Sequence, residues 1–124
     1  MSDLLSLDDL LSIKDSLVVS IDVPEWGRKV YLARPTGARR GAFDRALPKD
    51  EEDEAKVDTR HWRARTVALC LATPEGAFLV EDPADAIQVG EQLDAGKSAG
   101  AIARLFEQAK RLAGMELEEE AEKN

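Results

Sequence analysis

The most apolar stretch of the chain runs from Val67 to Ala72, where no residue is polar. It closes a segment, Asp58 to Ala72, whose pattern predicts a helix capped by Asp58 or Thr59 and ended by Thr73-Pro74. At about 100° per residue, Val67 and Leu71 point one way while Leu69 and Trp62 point roughly the other. A helix apolar on two sides must be covered on both. The other elements are therefore expected to pack around it, with Ile102, Leu105 and Phe106 or a second subunit covering the second side.

The pattern N-terminal to this helix is shorter in period. Val19, Ile21 and Val23 alternate with Ser20 and Asp22, which predicts a strand with one buried face. Pro24-Glu25-Trp26-Gly27 makes a turn, and Arg28 to Arg34 returns with Val30 and Leu32 facing inward. Such a hairpin is marginal alone, so it must lie on helices or pair with a further strand. Before it, Ser6-Leu7-Asp8-Asp9 resembles a capping box with Asp in place of Glu, opening a helix from about Leu7 to Ser12. That helix is too short to stand alone, and Leu4, Leu5, Leu7, Leu10, Leu11 and Ile13 around it need a surface in this chain or in a partner.

After Pro35, Thr36 can cap a helix from Gly37 to Ala46, with Ala38, Ala42, Phe43 and Leu47 as its apolar side and Arg39 and Arg40 on a solvated face. Lys49 to Lys56 is nearly all charge and reads as a solvated loop or mobile linker. Beyond the central helix, Ala77 to Val80 is a short strand or extended buried segment. Asp82-Pro83 starts a helix running to about Leu93 that buries Ile87, Val89 and Leu93. Ser98 caps the clearest amphipathic helix, carrying Ile102, Leu105, Phe106, Ala109, Leu112 and Ala113 on one side. Glu107 and Arg111 are spaced for an ion pair on the other, and Gly114 suits a left-handed cap. The expected fold class is α+β, helix-dominated, with an N-terminal antiparallel hairpin packed on about four helices. One domain spans residues 1–115, with an acidic loop at 49–57 and a disordered acidic tail at 116–124.

Composition narrows the function classes. A formal net charge of −8, with basic residues scattered, argues against nucleic acid as a partner, because phosphate binding needs clustered Lys and Arg. An acidic balance suits a soluble protein whose partner is apolar or basic. Aromatic residues make up only 5%, so the core must be built from aliphatic side chains. No run approaches the ~20 apolar residues of a membrane span, and the first residues are acidic rather than signal-like, so a cytoplasmic protein is expected. The one cysteine, Cys70, lies within the apolar run and reads as a small buried hydrophobe in a reducing compartment.

Reaction chemistry is harder to find. The single histidine, His61, has no Ser or Cys partner in view and reads as a surface or boundary residue. One His and one Cys do not make a metal site, and the acidic run lacks the alternation of a calcium loop. Gly37-Ala38-Arg39-Arg40-Gly41 lacks the Lys-Ser/Thr ending of a phosphate loop. No catalytic, cofactor-binding or metal-binding residue is assigned, no cofactor is implied, and a non-enzymatic interaction protein is expected. Its candidate contact residues are Trp26 at the hairpin tip, Tyr31 on the hairpin's outer face, and Leu10 and Leu11. The alternative for Trp26 is that it folds back to close a corner of the core. Trp62 is expected in the core.

The order of features resembles the small tail assembly chaperones of long-tailed bacteriophages and prophages. The resemblance rests on the acidic, leucine-rich start, Val23-Pro24-Glu25-Trp26-Gly27 followed by Lys29-Val30-Tyr31-Leu32, and the acidic gap. It continues through Arg63 to Leu71, Glu75-Gly76 before Phe78, the Glu81-Asp82 helix start, and Ala101 to Phe106 running to Gly114. It covers about residues 1–115. It implies a chaperone that binds the long, apolar, helical tape measure protein in the host bacterial cytoplasm and is absent from the mature virion. A homo-oligomer is expected, with no nucleic-acid or membrane partner. A small regulatory adaptor or antitoxin-like module, or a structural virion component, are the alternatives.

Overall fold

The computed structural model of the chain describes residues 6–115. Leu4 and Leu5, and the expected disordered tail at 116–124, lie outside the described residues. The chain opens with α1 (Leu7–Ser12), started by the expected capping box: the Ser6 hydroxyl accepts from the Asp9 amide, and the Asp9 carboxylate accepts from the Ser6 amide.

The hairpin follows as β1 (Val18–Val23) and β2 (Arg28–Ala33), antiparallel, with Val19 opposite Leu32 and Ile21 opposite Val30. Its tip is a single 3-10 turn, Pro24–Trp26, released by Gly27 in the left-handed region at φ +65°. The hairpin packs on the helices and also gains a third strand. Leu71–Ala72, expected to be the end of the central helix, is instead β3, paired antiparallel to β2 with Leu71 opposite Leu32 and Ala72 opposite Tyr31. The free edge of β2 offers these residues hydrogen-bond partners. The chain then doubles back through the Thr73–Gly76 turn, and the Leu79 amide donates to the Leu71 carbonyl. Ala77 to Val80 is thus an extended segment touching the sheet through one bridge, Ala72 to Phe78, with Val80 buried and Leu79 exposed.

The central helix is α3 (Trp62–Cys70), shorter than expected at both ends. Neither Asp58 nor Thr59 caps it. The Asp58 carboxylate is turned inward, accepting from the Arg60 amide at 2.9 Å and from the Arg60 guanidinium at 2.9 Å, so the chain makes a turn before it can become helical. Arg60 holds the Asp58 carboxyl down at about 2. A carboxylate with a depressed folded pKa contributes stability that is present above the unfolded value near 4 and is lost as pH falls through about 2. Acid titration of unfolding should therefore be flatter across that window in Asp58→Asn than in wild type.

The remaining helices are α2 (Gly37–Ala46), α4 (Ala86–Gly96) and α5 (Ala99–Leu112). Thr36 and Ser98 cap α2 and α5 as expected, and Gly114 is left-handed at φ +76°. Asp82 caps a 3-10 turn, Pro83–Asp85, and α4 proper starts after it and continues past Leu93. Every residue from Ala64 to Cys70 is buried, with α4 on one side of α3 and α5 with the sheet on the other. Both apolar sides of α3 are thus covered within the chain. Ile87, Val89 and Leu93 are only partly buried against this core, as is Trp62. The acidic segment is exposed, but its ends are tied: Lys49 bridges Val57 and the Asp50 amide donates to the Lys56 carbonyl. Among the described residues no helix is long and apolar enough to cross a membrane.

Candidate functional site

The four candidate contact residues separate into two groups. Trp26 is half-buried against the core, with the Lys97 ammonium 5.5 Å from its ring centre. Beside it, the Glu25 carboxylate accepts from both terminal nitrogens of Arg104 on α5, at 2.8 and 3.1 Å. This pair lowers the pKa of Glu25. The hairpin tip is therefore fastened to α5. Tyr31 sits mid-sheet, half-buried between Ser20 and Ala72.

Leu10 and Leu11 are placed differently. No residue of α1 is buried, and Leu7, Leu10 and Leu11 are 69%, 55% and 74% exposed. Ile13 and Leu17 continue this exposed apolar series into a groove of about 620 Å³. Its walls come from β1, the segment after β2 and the Thr73–Phe78 turn, including Val18, Ala33, Pro35 and Phe78. Arg34 ties the arm down by donating to the Asp15 carbonyl and carboxylate.

Arg39 lies behind Phe78, one of the residues that line that groove. It was expected on a solvated helix face and is instead 9% exposed. Its Nε and Nη2 donate to the Leu69 carbonyl, Nη2 also to Val80 and Nη1 to Glu81, while the guanidinium lies 3.9 Å from the centre of the Phe78 ring. The last carbonyls of α3 carry the negative end of its dipole, which suits a buried cation. Burial pulls the Arg39 pKa below its ordinary value. Arg40 is likewise engaged, donating to the Ala113 carbonyl at 2.7 Å and lying beside Asp44.

Two further arginine contacts lie outside the reading of the sequence pattern. Arg65, on the apolar helix, is 1% exposed and pairs with Glu91 at 2.8 Å. The Arg104–Glu25 pair joins residues far apart in sequence. One signal for the first existed: Gly90 follows Ala86 by four positions on the same face of α4, and an isolated helical glycine marks a close approach. Glu107 pairs with Lys110 at 3.4 Å, one residue short of the expected partner Arg111.

His61 stands at a boundary, as expected. It ends the turn before α3 with φ +60° and its Nδ1 is 2.8 Å from the Asp94 carboxylate, at the edge of a shallow recess with Trp62 and Arg63. A left-handed conformation costs a non-glycine residue about 1–2 kcal/mol, and a half-exposed pair returns less than about 1 kcal/mol. Glycine's extra unfolded-state entropy offsets about 0.5–1 kcal/mol of that relief, so His61→Gly is expected to unfold within about 0.5 kcal/mol of wild type, whereas the β-branched His61→Val should lose about 2 kcal/mol in urea denaturation.

The Cys70 thiol is buried with the Ala109 carbonyl 3.8 Å away, and burial pushes it up to about 12. Only the thiolate is a nucleophile. Labelling of Cys70 by a disulfide reagent at pH 8 should proceed at the rate of global opening and accelerate in step with unfolding as urea is added. Among the described residues no three His, Cys, Asp or Glu side chains are grouped to hold a metal ion. No protein family, curated protein or solved structure matches this chain.

Proposed function

We propose that the chain is a tail assembly chaperone of a long-tailed bacteriophage or prophage, which binds the tape measure protein and keeps its apolar helices soluble while the tail is built. The observation that carries this reading is the exposure of Leu7, Leu10, Leu11 and Ile13 on a body of net charge −8. Apolar side chains clustered in solvent mark a binding surface, and the acidic remainder keeps a protein with such a surface soluble. The ordered sequence features that resemble this family support the same reading. The role is one of binding without catalysis, exercised in the host cytoplasm before the virion is complete, and the protein self-associates in performing it.

Co-expression with the tape measure protein of the same phage or prophage tests this. The tape measure protein should move to the soluble fraction and co-purify with the chain. Equal insolubility with and without the chain would sink the proposal. Stoichiometric detection of the chain in purified virions by mass spectrometry would replace it with a structural role.

A further inference from the structure

The helix α1 is built with care, yet among the described residues it buries none of its side chains. A reciprocal capping box and two acids in the first turn specify it, though six residues are too few to hold a helix in isolation. Leu7, Leu10 and Leu11 stand at i, i+3 and i+4, a single stripe in solvent. The stripe runs through Ile13 into the groove beside β1. A linear apolar seam of this kind is complementary to a helix laid along it.

The charges around the seam select the partner. Asp8 and Asp9 flank the leucines, α1 has no base in its last turn, and Glu75 stands at the groove. Asp15 is neutralised by Arg34, which leaves Lys14 as the opposing charge at the groove. A second copy of α1 laid parallel to the first would bring Asp8 and Asp9 against Asp8 and Asp9, and like charges across an interface are unfavourable. We propose that α1 and the adjoining groove form one docking surface for an amphipathic helix of a partner polypeptide, with a leucine-type ridge flanked by lysine or arginine. This rests on the chaperone reading and names the part of the body on which a tape measure helix is seated. The hairpin tip takes no part, because Trp26 and Glu25 are already engaged by Lys97 and Arg104.

The test uses the full chain and two synthetic helical peptides of equal length, one leucine–lysine and one leucine–glutamate. The leucine–lysine peptide is expected to bind wild type at least about tenfold more tightly than it binds L7S/L10S/L11S, and at least about tenfold more tightly than the leucine–glutamate peptide binds wild type. Val57→Ser, an exposed apolar change elsewhere, should bind as wild type. The triple variant keeps every acid, so unchanged binding would mean bulk charge attraction and would overturn the proposal. Because α1 buries no residue, the triple variant should melt at the wild-type temperature. If it does not, Asp8→Lys with Glu75→Lys decides, since it leaves the leucines in place and must reverse the peptide preference. Light scattering that shows a wild-type dimer and a monomeric triple variant, without peptide, would assign the surface to a second copy and overturn the proposal. With the tape measure protein, solubilisation by wild type but not by the triple variant supports both readings. Solubilisation by both overturns this surface alone. Solubilisation by neither, with peptide discrimination intact, overturns the chaperone and leaves the surface.

Discussion

Gly90→Ala is expected to lower the free energy of unfolding by about 3 kcal/mol or more, at the upper end of the cost of overpacking. A Cβ built at Gly90 would lie 2.5 Å from the Arg65 Cα and 2.6 Å from both its Cγ and its backbone nitrogen. Two of these atoms are main chain, so relief requires α3 and α4 to separate along their shared face. Alanine gains about 1 kcal/mol of helix propensity over glycine, which the separation outweighs. Gly96, the last residue of α4, has nothing within 4 Å of the same position. Gly96→Ala should therefore be neutral or stabilising by up to about 0.5 kcal/mol, and the two substitutions together isolate the clash from the propensity. Urea denaturation of the pair checks this. Wild-type stability in Gly90→Ala would mean that α3 and α4 do not approach as described.

Removing the guanidinium of Arg39 should have an effect of similar size. Arg39→Ala takes the donor from the carbonyls of Leu69, Val80 and Glu81, and withdraws the flat surface on which Phe78 rests. A buried acceptor left unsatisfied costs about 1–3 kcal/mol, and water entering the space recovers part of it, so a loss of about 3 kcal/mol is expected. Arg39→Met retains much of the volume and isolates the hydrogen-bond contribution, at about 2 kcal/mol. Arg39→Lys should fall between wild type and alanine, since an ammonium cannot present the planar fork that spans three carbonyls. If the methionine variant unfolds at the wild-type urea midpoint, the clamp contributes nothing beyond its packing. Phe78 also walls the groove beside α1, so the alanine variant should bind the leucine–lysine peptide more weakly even under conditions where it is folded.

These two positions show where one-dimensional pattern stops being informative. Arg39 lies on an arginine-rich helix, and by spacing it belongs with Arg40 on a solvated side. Its burial depends on carbonyls thirty and more residues away, at the end of α3 and in the extended segment after it. A backbone carbonyl has no sequence signature. Arg65 sits within the apolar helix for the same kind of reason: Glu91 and the gap left by Gly90 are supplied by α4. Of the candidate contacts, Trp26 and Leu10 read alike in sequence, as apolar side chains near a turn or a terminus. Trp26 found Lys97 and the core; Leu10 stays 55% exposed.

Sequence by itself determined the α+β class, the hairpin and its inward face through alternation, the capped starts of α1, α2 and α5, the burial of Cys70 and the left-handed Gly114. Each is set by neighbours within a few residues, through period, cap or turn chemistry. Tertiary structure alone decided that Leu71–Ala72 leaves the helix to become a strand, and that both sides of α3 are covered by the same chain. It also decided which apolar residues remain in solvent. The physical reason is common to all of these. A strand edge, an orphan carbonyl or an uncovered leucine is defined by what lies opposite it in space, and the partner comes from a distant part of the chain or, for α1, from none of the described residues.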